Sequence, residues 1–540
     1  MENAQFGMIG LGTMGRNFLL NVAEHGFACV GYDLDAEKVD LLNKEGTDYT
    51  VEGVKDLSAF INSLETPRRI MMLVPAGKIV DGVIENLLPH LDKGDIIIDG
   101  GNSHFTDTEV REKYLNEKGF EFLGVGVSGG EEGARHGASI MPGGKKEAYE
   151  KVAPVLIAAS AKVDGEPCVA YMGKGSAGHF VKMVHNGIEY GLMQILAETY
   201  DFMRRVLKMN YDEMSTTFAE WNNAKLNSFL VEITAEVLKK RDNETGNPLV
   251  EMILDKAAQK GTGKWTSQAA LDFGVPIPTI DSAVSMRQIS AQKEARTIIA
   301  EKYGSHEPAI TNPPTADFDV VSSEKLADKA KAARETSAAE TAVSQQHQVK
   351  IDAQKKVQIK SGNETIGKSD EERDATVRED VFENKKEFIE LLKDTLFSSF
   401  IVTYAQGMSL LQTASVEKDY GLNLSEIAKI WRGGCIIRSA LLEEMRRAYS
   451  TNPDLPNLIL DDEFARVLSE NRDFWCRVNN KFAISQVPSL CLSSALSYFD
   501  AFRSKQLPAN LIQAQRDFFG AHTYQRIDEE GVFHTSDWNK

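Results

Sequence analysis

From Gln5 to about Gly173 the chain alternates short apolar runs with amphipathic stretches. Phe6 to Ile9, Ala28 to Tyr32, Ile70 to Val74, Ile96 to Ile98 and Phe122 to Val125 read as strands buried on both faces, each followed by turn residues and a helical pattern. The alternation predicts a doubly wound α/β domain of Rossmann type over residues 1–176. From about Ser176 the strand signal nearly vanishes, and apolar residues recur at spacings of three and four, as in Val181, Val184, Ile188, Leu192 and Ile195. A large all-α domain is therefore expected over 177–304 and 384–505. Between these pieces, residues 305–383 contain two Phe and no Trp, Tyr or Cys, and run into an Ala/Lys/Glu/Gln-rich stretch. Such a composition does not build its own core, so a polar insertion dispensable for chemistry is expected there. Residues 506–540 form a short polar C-terminal tail.

The length of 540 residues suffices for several domains, and 42% apolar with 26% charged residues is ordinary for a globular protein. Sixty-one basic and 79 acidic side chains leave a net charge of −18. That field repels nucleic acid and acidic membrane surfaces, so an anionic ligand needs a local cluster of cations. Five cysteines without metal or disulfide spacing point to a reducing compartment and to no bound metal. The first strand begins near Gln5, and no apolar run approaches a membrane span; a cytoplasmic location is expected.

The first strand runs into Gly10-Leu11-Gly12-Thr13-Met14-Gly15, which opens a helical pattern ending at His25-Gly26. Glycines at these three positions permit a tight turn, close approach of a pyrophosphate to backbone N–H groups, and close helix–strand packing. Eighteen residues past Gly15, Asp33 stands at the end of the second strand, where a carboxylate can accept from both ribose hydroxyls. Val74, at the end of the third apolar run, is a further candidate cofactor neighbour. Asp33 would repel a 2′-phosphate and no arginine follows it in Asp33-Leu34-Asp35, which favours NAD over NADP.

Gly173, Gly175 and Gly178 lead into Lys182-Met183-Val184-His185-Asn186-Gly187-Ile188-Glu189-Tyr190. At 100° per residue, Lys182, Asn186 and Glu189 fall within an arc of roughly 60°, flanked by His185 and Tyr190, with the apolar set opposite. A polar helix face is most often just solvated. Here the stripe lacks the usual i,i+4 Glu-to-Lys pairing and follows a cofactor domain, which makes it a candidate reacting face.

At this point the chain resembles a known family. Ile98 to Ser103, Val127 to Ala134, Lys182 to Tyr190, Lys260-Gly261-Thr262-Gly263-Lys264-Trp265-Thr266 and Gln513 to His522 are similar, in order, to motifs of decarboxylating 6-phosphogluconate dehydrogenases. The resemblance implies oxidative decarboxylation of 6-phosphogluconate to ribulose 5-phosphate within the pentose phosphate pathway, by a homodimer that uses NAD or NADP and no metal. It implies Lys182 as the base and Glu189 as the acid of catalysis, and Asn102, Ser128, Gly129, Gly130, His185 and Asn186 as ligands of the substrate's carboxylate and hydroxyls, with Asn102 also near the cofactor. Tyr190, Lys260 and Arg287 match its phosphate ligands; Arg516 and His522 match two more that the tail of the neighbouring subunit donates. NADP-using members resemble Asn-Arg-Thr where this chain has Asp33-Leu34-Asp35. The alternatives are a non-decarboxylating β-hydroxyacid dehydrogenase, which needs no sugar-phosphate clamp, and a catalytically silent dinucleotide-sensing scaffold, which has no reason to keep both Lys182 and Glu189.

Overall fold

A computed structural model describes residues 3–304 and 385–538; the expected insertion at 305–383 lies outside the described residues. Seven strands form one sheet: β1 (Phe6–Ile9), β2 (Cys29–Tyr32), β3 (Val51–Val54), β4 (Arg69–Met72), β5 (Ile96–Asp99), β6 (Glu121–Ser128) and β7 (Ser139–Gly144). Their spatial order is β3-β2-β1-β4-β5-β6-β7, parallel except for β7, which runs antiparallel to β6. Every residue of β1 and β5 is buried, as the unbroken apolar runs require of strands covered on both faces. The N-terminal third is thus a Rossmann-type α/β domain.

Two strands of this sheet escaped the sequence reading for identifiable reasons, as did the short separate hairpin of Lys162–Val163 and Glu166–Pro167. β3 is Val51-Glu52-Gly53-Val54, a half-buried edge with no apolar run. β7 carries Pro142, Gly143 and Gly144, residues that signal turns, and the proline is tolerated at the opposite edge of the sheet. The strand order reverses between β1 and β4, which opens a crevice beyond their carboxyl ends where ligands of such sheets bind.

The rest is helical, as expected. Its axis is the 29-residue helix Ala177–Arg205. Gly178 lets that helix lie directly on the sheet, since a Cβ there would come within 2.3 Å of the carbonyl oxygens of both Gly124 in β6 and Met141 in β7. Its other sides are covered by the helices Thr262–Asp272, Pro278–Ala291 and Lys385–Glu417. Where Gly187 faces Thr266, and Gly407 faces Ile188, missing side chains let these helices approach closely. Towards its far end, buried Glu198 accepts from the backbone N–H groups of Cys491 and Leu492, both at 3.0 Å, capping the helix Leu490–Phe502. Among the described residues no helix is long and apolar enough to cross a membrane.

The tail is organised around one carboxylate. Asp517, in the helix Ala509–Gly520, accepts from Thr523 N at 2.9 Å, Thr535 N at 3.0 Å and Trp538 Nε1 at 3.0 Å, and lies 2.8 Å from His534 Nδ1. These bonds outweigh desolvation and hold its pKa at about 2.

Candidate active site

The glycine loop after β1 has the geometry its spacing predicts. Gly10 adopts φ +92°, and a Cβ on Gly15 would sit 1.9 Å from Gly10 O, so the helix Thr13–Glu24 can start there only on a glycine. The first intrahelical bond runs from Arg16 N to Gly12 O, leaving the amides of Thr13, Met14 and Gly15 at the helix mouth. Among the described residues, nothing lies within 4 Å of a Cβ built on Gly12. That open cradle of amides at a helix N-terminus fits a dinucleotide pyrophosphate. Across it, Asp33 Oδ2 accepts from Leu11 N at 2.7 Å and Oδ1 accepts from Asp35 N at 2.9 Å, which pins the carboxylate beside the loop. Leu34 is 86% exposed. Val74 and Asn102 lie on neighbouring loops, after β4 and β5, and Asn102 is exposed.

The polar stripe on Ala177–Arg205 is not a solvated face. Lys182 is only 6% exposed and Asn186 9%, while His185 is fully buried. Residues 177–188 are buried all round the helix, so the apolar set does not lie opposite water-facing polar residues but completes a core around them. Lys182 lies against β6, where a Cβ on Gly126 would come within 2.4 Å of Lys182 Cβ. Its Nζ is 3.5 Å from His185 Nδ1, which is 3.1 Å from Asn186 Oδ1; His185 Nε2 is 3.2 Å from Ser128 Oγ at the end of β6. Burial pulls the Lys182 pKa down to about 8, although Glu189 and Cys435 oppose the shift. The same burial, reinforced by Lys182, keeps His185 neutral. Glu189 shifts the other way: desolvation raises its pKa, partly offset by Lys182 and Arg287. The cluster thus pairs a lysine whose hold on its proton is weakened with a carboxyl whose hold on one is strengthened.

A cationic corner adjoins it. The Arg287 guanidinium stacks 3.4 Å from the centroid of the Tyr190 ring and donates to Ala258 O at 3.0 Å. Lys260 follows two residues later, exposed, just before Gly261 caps the helix Thr262–Asp272. Trp265 of that helix meets His104 edge-on at 4.8 Å, which brings the Lys260 loop to the loop carrying Asn102. Gly129 and Gly130 turn the chain after β6 at φ +121° and +61°. Arg516 and His522 stand exposed in the tail, with Arg516 Nη1 donating to Gln513 Oε1 at 2.9 Å.

The chain is similar to known proteins over its whole length. The sequence model described as "NAD binding domain of 6-phosphogluconate dehydrogenase" matches residues 5–173, and that described as "6-phosphogluconate dehydrogenase, C-terminal domain" matches 178–342 and 326–538. The chain belongs to the 6-phosphogluconate dehydrogenase family. It is 45% identical over 540 residues to "6-phosphogluconate dehydrogenase, NADP(+)-dependent, decarboxylating" of Bacillus subtilis (strain 168), covering 100% of both chains. To "6-phosphogluconate dehydrogenase, decarboxylating" of Escherichia coli (strain K12) it is 43% identical, covering 99% of each. Among solved structures it is similar to the 6-phosphogluconate dehydrogenase of Plasmodium falciparum, studied in its apo form, with its cofactor NADP+ and with its substrate 6-phosphogluconate. The TM-score there is 0.82 at 38% identity, over 98% of this chain and 100% of that one.

Sequence reasoning missed one wall of this family member's site. Trp431 packs edge-on against His185 at 5.5 Å, Cys435 Sγ donates to Trp431 O at 3.0 Å, and Gly434 O accepts from Ser139 N at 2.8 Å. A Cβ on Gly129 would come within 2.6 Å of Gly434 O, so the two glycine turns interlock. The pair Gly433-Gly434 beside a tryptophan was the available signal.

Proposed function

We propose that the protein oxidatively decarboxylates 6-phosphogluconate to ribulose 5-phosphate and carbon dioxide, reducing a nicotinamide dinucleotide. The observation that carries this reading is Lys182, buried among polar groups with its pKa pulled to about 8. In its neutral form Lys182 takes the proton of the 3-hydroxyl. A bound nicotinamide supplies the acceptor for the hydride that leaves carbon 3. The Lys182 ammonium so formed polarises the new 3-keto group and gives its proton to that oxygen as the β-keto acid loses its carboxylate as carbon dioxide, leaving an enediol. Glu189, whose pKa burial raises, then delivers a proton to the carbon that had carried the carboxylate while Lys182 takes back the proton of the enediol oxygen at carbon 3. Ser128, Gly129, Gly130, Asn102, His185 and Asn186 hold the carboxylate and hydroxyls. Tyr190, Lys260 and Arg287 hold the phosphate, joined by Arg516 and His522 of a second subunit's tail. The exposure of both tail residues and of Phe519 beside them, at 71%, favours a homodimer in which the tail serves the neighbouring site. Absorbance at 340 nm with 6-phosphogluconate and either dinucleotide, with carbon dioxide measured alongside, tests the reaction; reduction without carbon dioxide would leave a simple β-hydroxyacid dehydrogenase.

NAD is the preferred cofactor in this reading. The pinned carboxylate of Asp33 faces the ribose, and its nearby cation, Lys38 at 3.9 Å, is shared with Asp35 at 3.4 Å. Repulsion of a 2′-phosphate in a partly buried site costs on the order of 1–3 kcal/mol, about ten- to a hundredfold in kcat/KM. Asp33→Asn combined with Leu34→Arg is expected to move the ratio of kcat/KM towards NADP by at least that order. A clear NADP preference in the unmodified protein would refute the assignment.

A further inference from the structure

Arg111 is 5% exposed, in the helix Phe105–Lys118, and its hydrogen-bond partners belong to the ligand-facing edge of the sheet rather than to the core. Its Nη2 donates to Gly77 O at 3.0 Å and its Nε to Asp81 Oδ1 at 2.7 Å; Gly77 closes the loop after β4, and Asp81 sits in the first turn of the helix Lys78–Leu87. Its Nη1 donates to Ser103 Oγ at 3.2 Å and lies 3.4 Å from Asp99 Oδ2. Asp99, 1% exposed at the end of β5, accepts in turn from Gly101 N at 3.0 Å and from Ser103 Oγ at 2.6 Å. One guanidinium therefore spans two loops: 73–77, which carries Val74, and 100–103, which carries Asn102. They also pack directly, a Cβ on Gly101 falling 3.2 Å from Val74 O and one on Gly100 falling 3.4 Å from Leu73 Cδ2.

Burying a guanidinium and a carboxylate is a poor way to gain stability, since desolvation consumes most of the attraction. What such a fork does well is set geometry, because its planar donors meet several acceptors in fixed directions. The catalytic helix is tied to the same element: His179, one turn before Lys182, has Nδ1 2.7 Å from Thr108 Oγ1, and Thr108 is one turn before Arg111. We propose that Arg111 is a positioning residue for the reaction, fixing the separation of the Val74 and Asn102 loops so that substrate and nicotinamide are held together. The inference rests on the role given to Asn102 above.

Four variants test it: Arg111→Met, Arg111→Lys, Ser103→Ala and Asn102→Ala. Each is measured for Tm without ligands, for the Kd of the reduced dinucleotide by its fluorescence, and for KM and kcat with 6-phosphogluconate. Arg111→Met is expected to raise both Kd and KM about tenfold while kcat falls less than about fivefold, and Arg111→Lys to recover part of the loss. Ser103→Ala removes one hydroxyl from the network, so it decides the matter if Arg111→Met does not fold; a rise of about threefold in both constants is expected. Both constants within about twofold of the parent in Ser103→Ala and in every folded Arg111 variant, with Tm alone lowered, would overturn the proposal. If Asn102→Ala raises Kd and KM while those variants do not, the clamp alone is wrong. If Asn102→Ala changes neither constant, the placement of Asn102 fails and the clamp falls with it.

Discussion

Lys182→Met is expected to lower kcat by at least about 10⁴, because one side chain serves as base in the oxidation and as acid in the decarboxylation, and each such role is worth roughly 10²–10⁴. The same substitution should stabilise the fold. Below a pH of about 8 the folded protein buries Lys182 as an ammonium, whereas the unfolded chain carries it in water at its ordinary pKa. The unfolded state therefore binds the proton more tightly, and the lysine destabilises the native state by roughly 3 kcal/mol at neutral pH. That penalty fades as pH rises through about 8 and is gone above the ordinary lysine pKa. Denaturant unfolding at pH 7 should show the methionine variant more stable, with the advantage vanishing at high pH. In the unmodified enzyme, kcat/KM should rise with pH through a pKa of about 8. An active Lys182→Met protein would remove Lys182 from the chemistry; an inactive one with unchanged stability would mean that the lysine is not desolvated as described.

A mixture of two inactive mutants should recover activity if the tail acts on the neighbouring subunit. Charge-assisted bonds to a phosphate contribute roughly 1.5–3 kcal/mol each, so Arg516→Ala with His522→Ala should cost about two to four orders of magnitude in kcat/KM. Lys182→Ala homodimers should be nearly inactive for a different reason. In a hybrid dimer the partner of the Lys182→Ala subunit has its own lysine and receives an intact tail, so one site carries no defect and the other carries all. Random reassociation makes half the dimers hybrids, and about a quarter of full activity should return. Hybrids verified by differently tagged subunits but showing no recovered activity would assign Arg516 and His522 to their own subunit's site.

The dinucleotide cradle was legible because everything it needs is local. Gly10, Gly12 and Gly15 act within one turn of chain, and Asp33 closes on Leu11 N because β2 pairs with β1 in register, with Ile9 opposite Tyr32. The Lys182, Asn186 and Glu189 stripe was legible for a similar reason, helical periodicity. What the pattern did not reveal was that the stripe lies indoors. Glu198 illustrates the same blindness: in Ala197-Glu198-Thr199-Tyr200-Asp201 it reads as an exposed helix residue, yet it is 2% exposed and caps a helix almost three hundred residues away.

Local chemistry along the chain thus determined the alternation of strands and helices, the glycine turn, the acidic residue beside it and the choice of side chains on the reacting helix, since each depends on residues within a few turns of one another. Tertiary structure decided which of those side chains lose water. Lys182 has a pKa near 8 only because β6 brings Gly126 against it and residues 431–435 close in from far along the chain. Desolvation is a property of everything packed around a group, and the neighbours that impose it are adjacent in space but not in sequence.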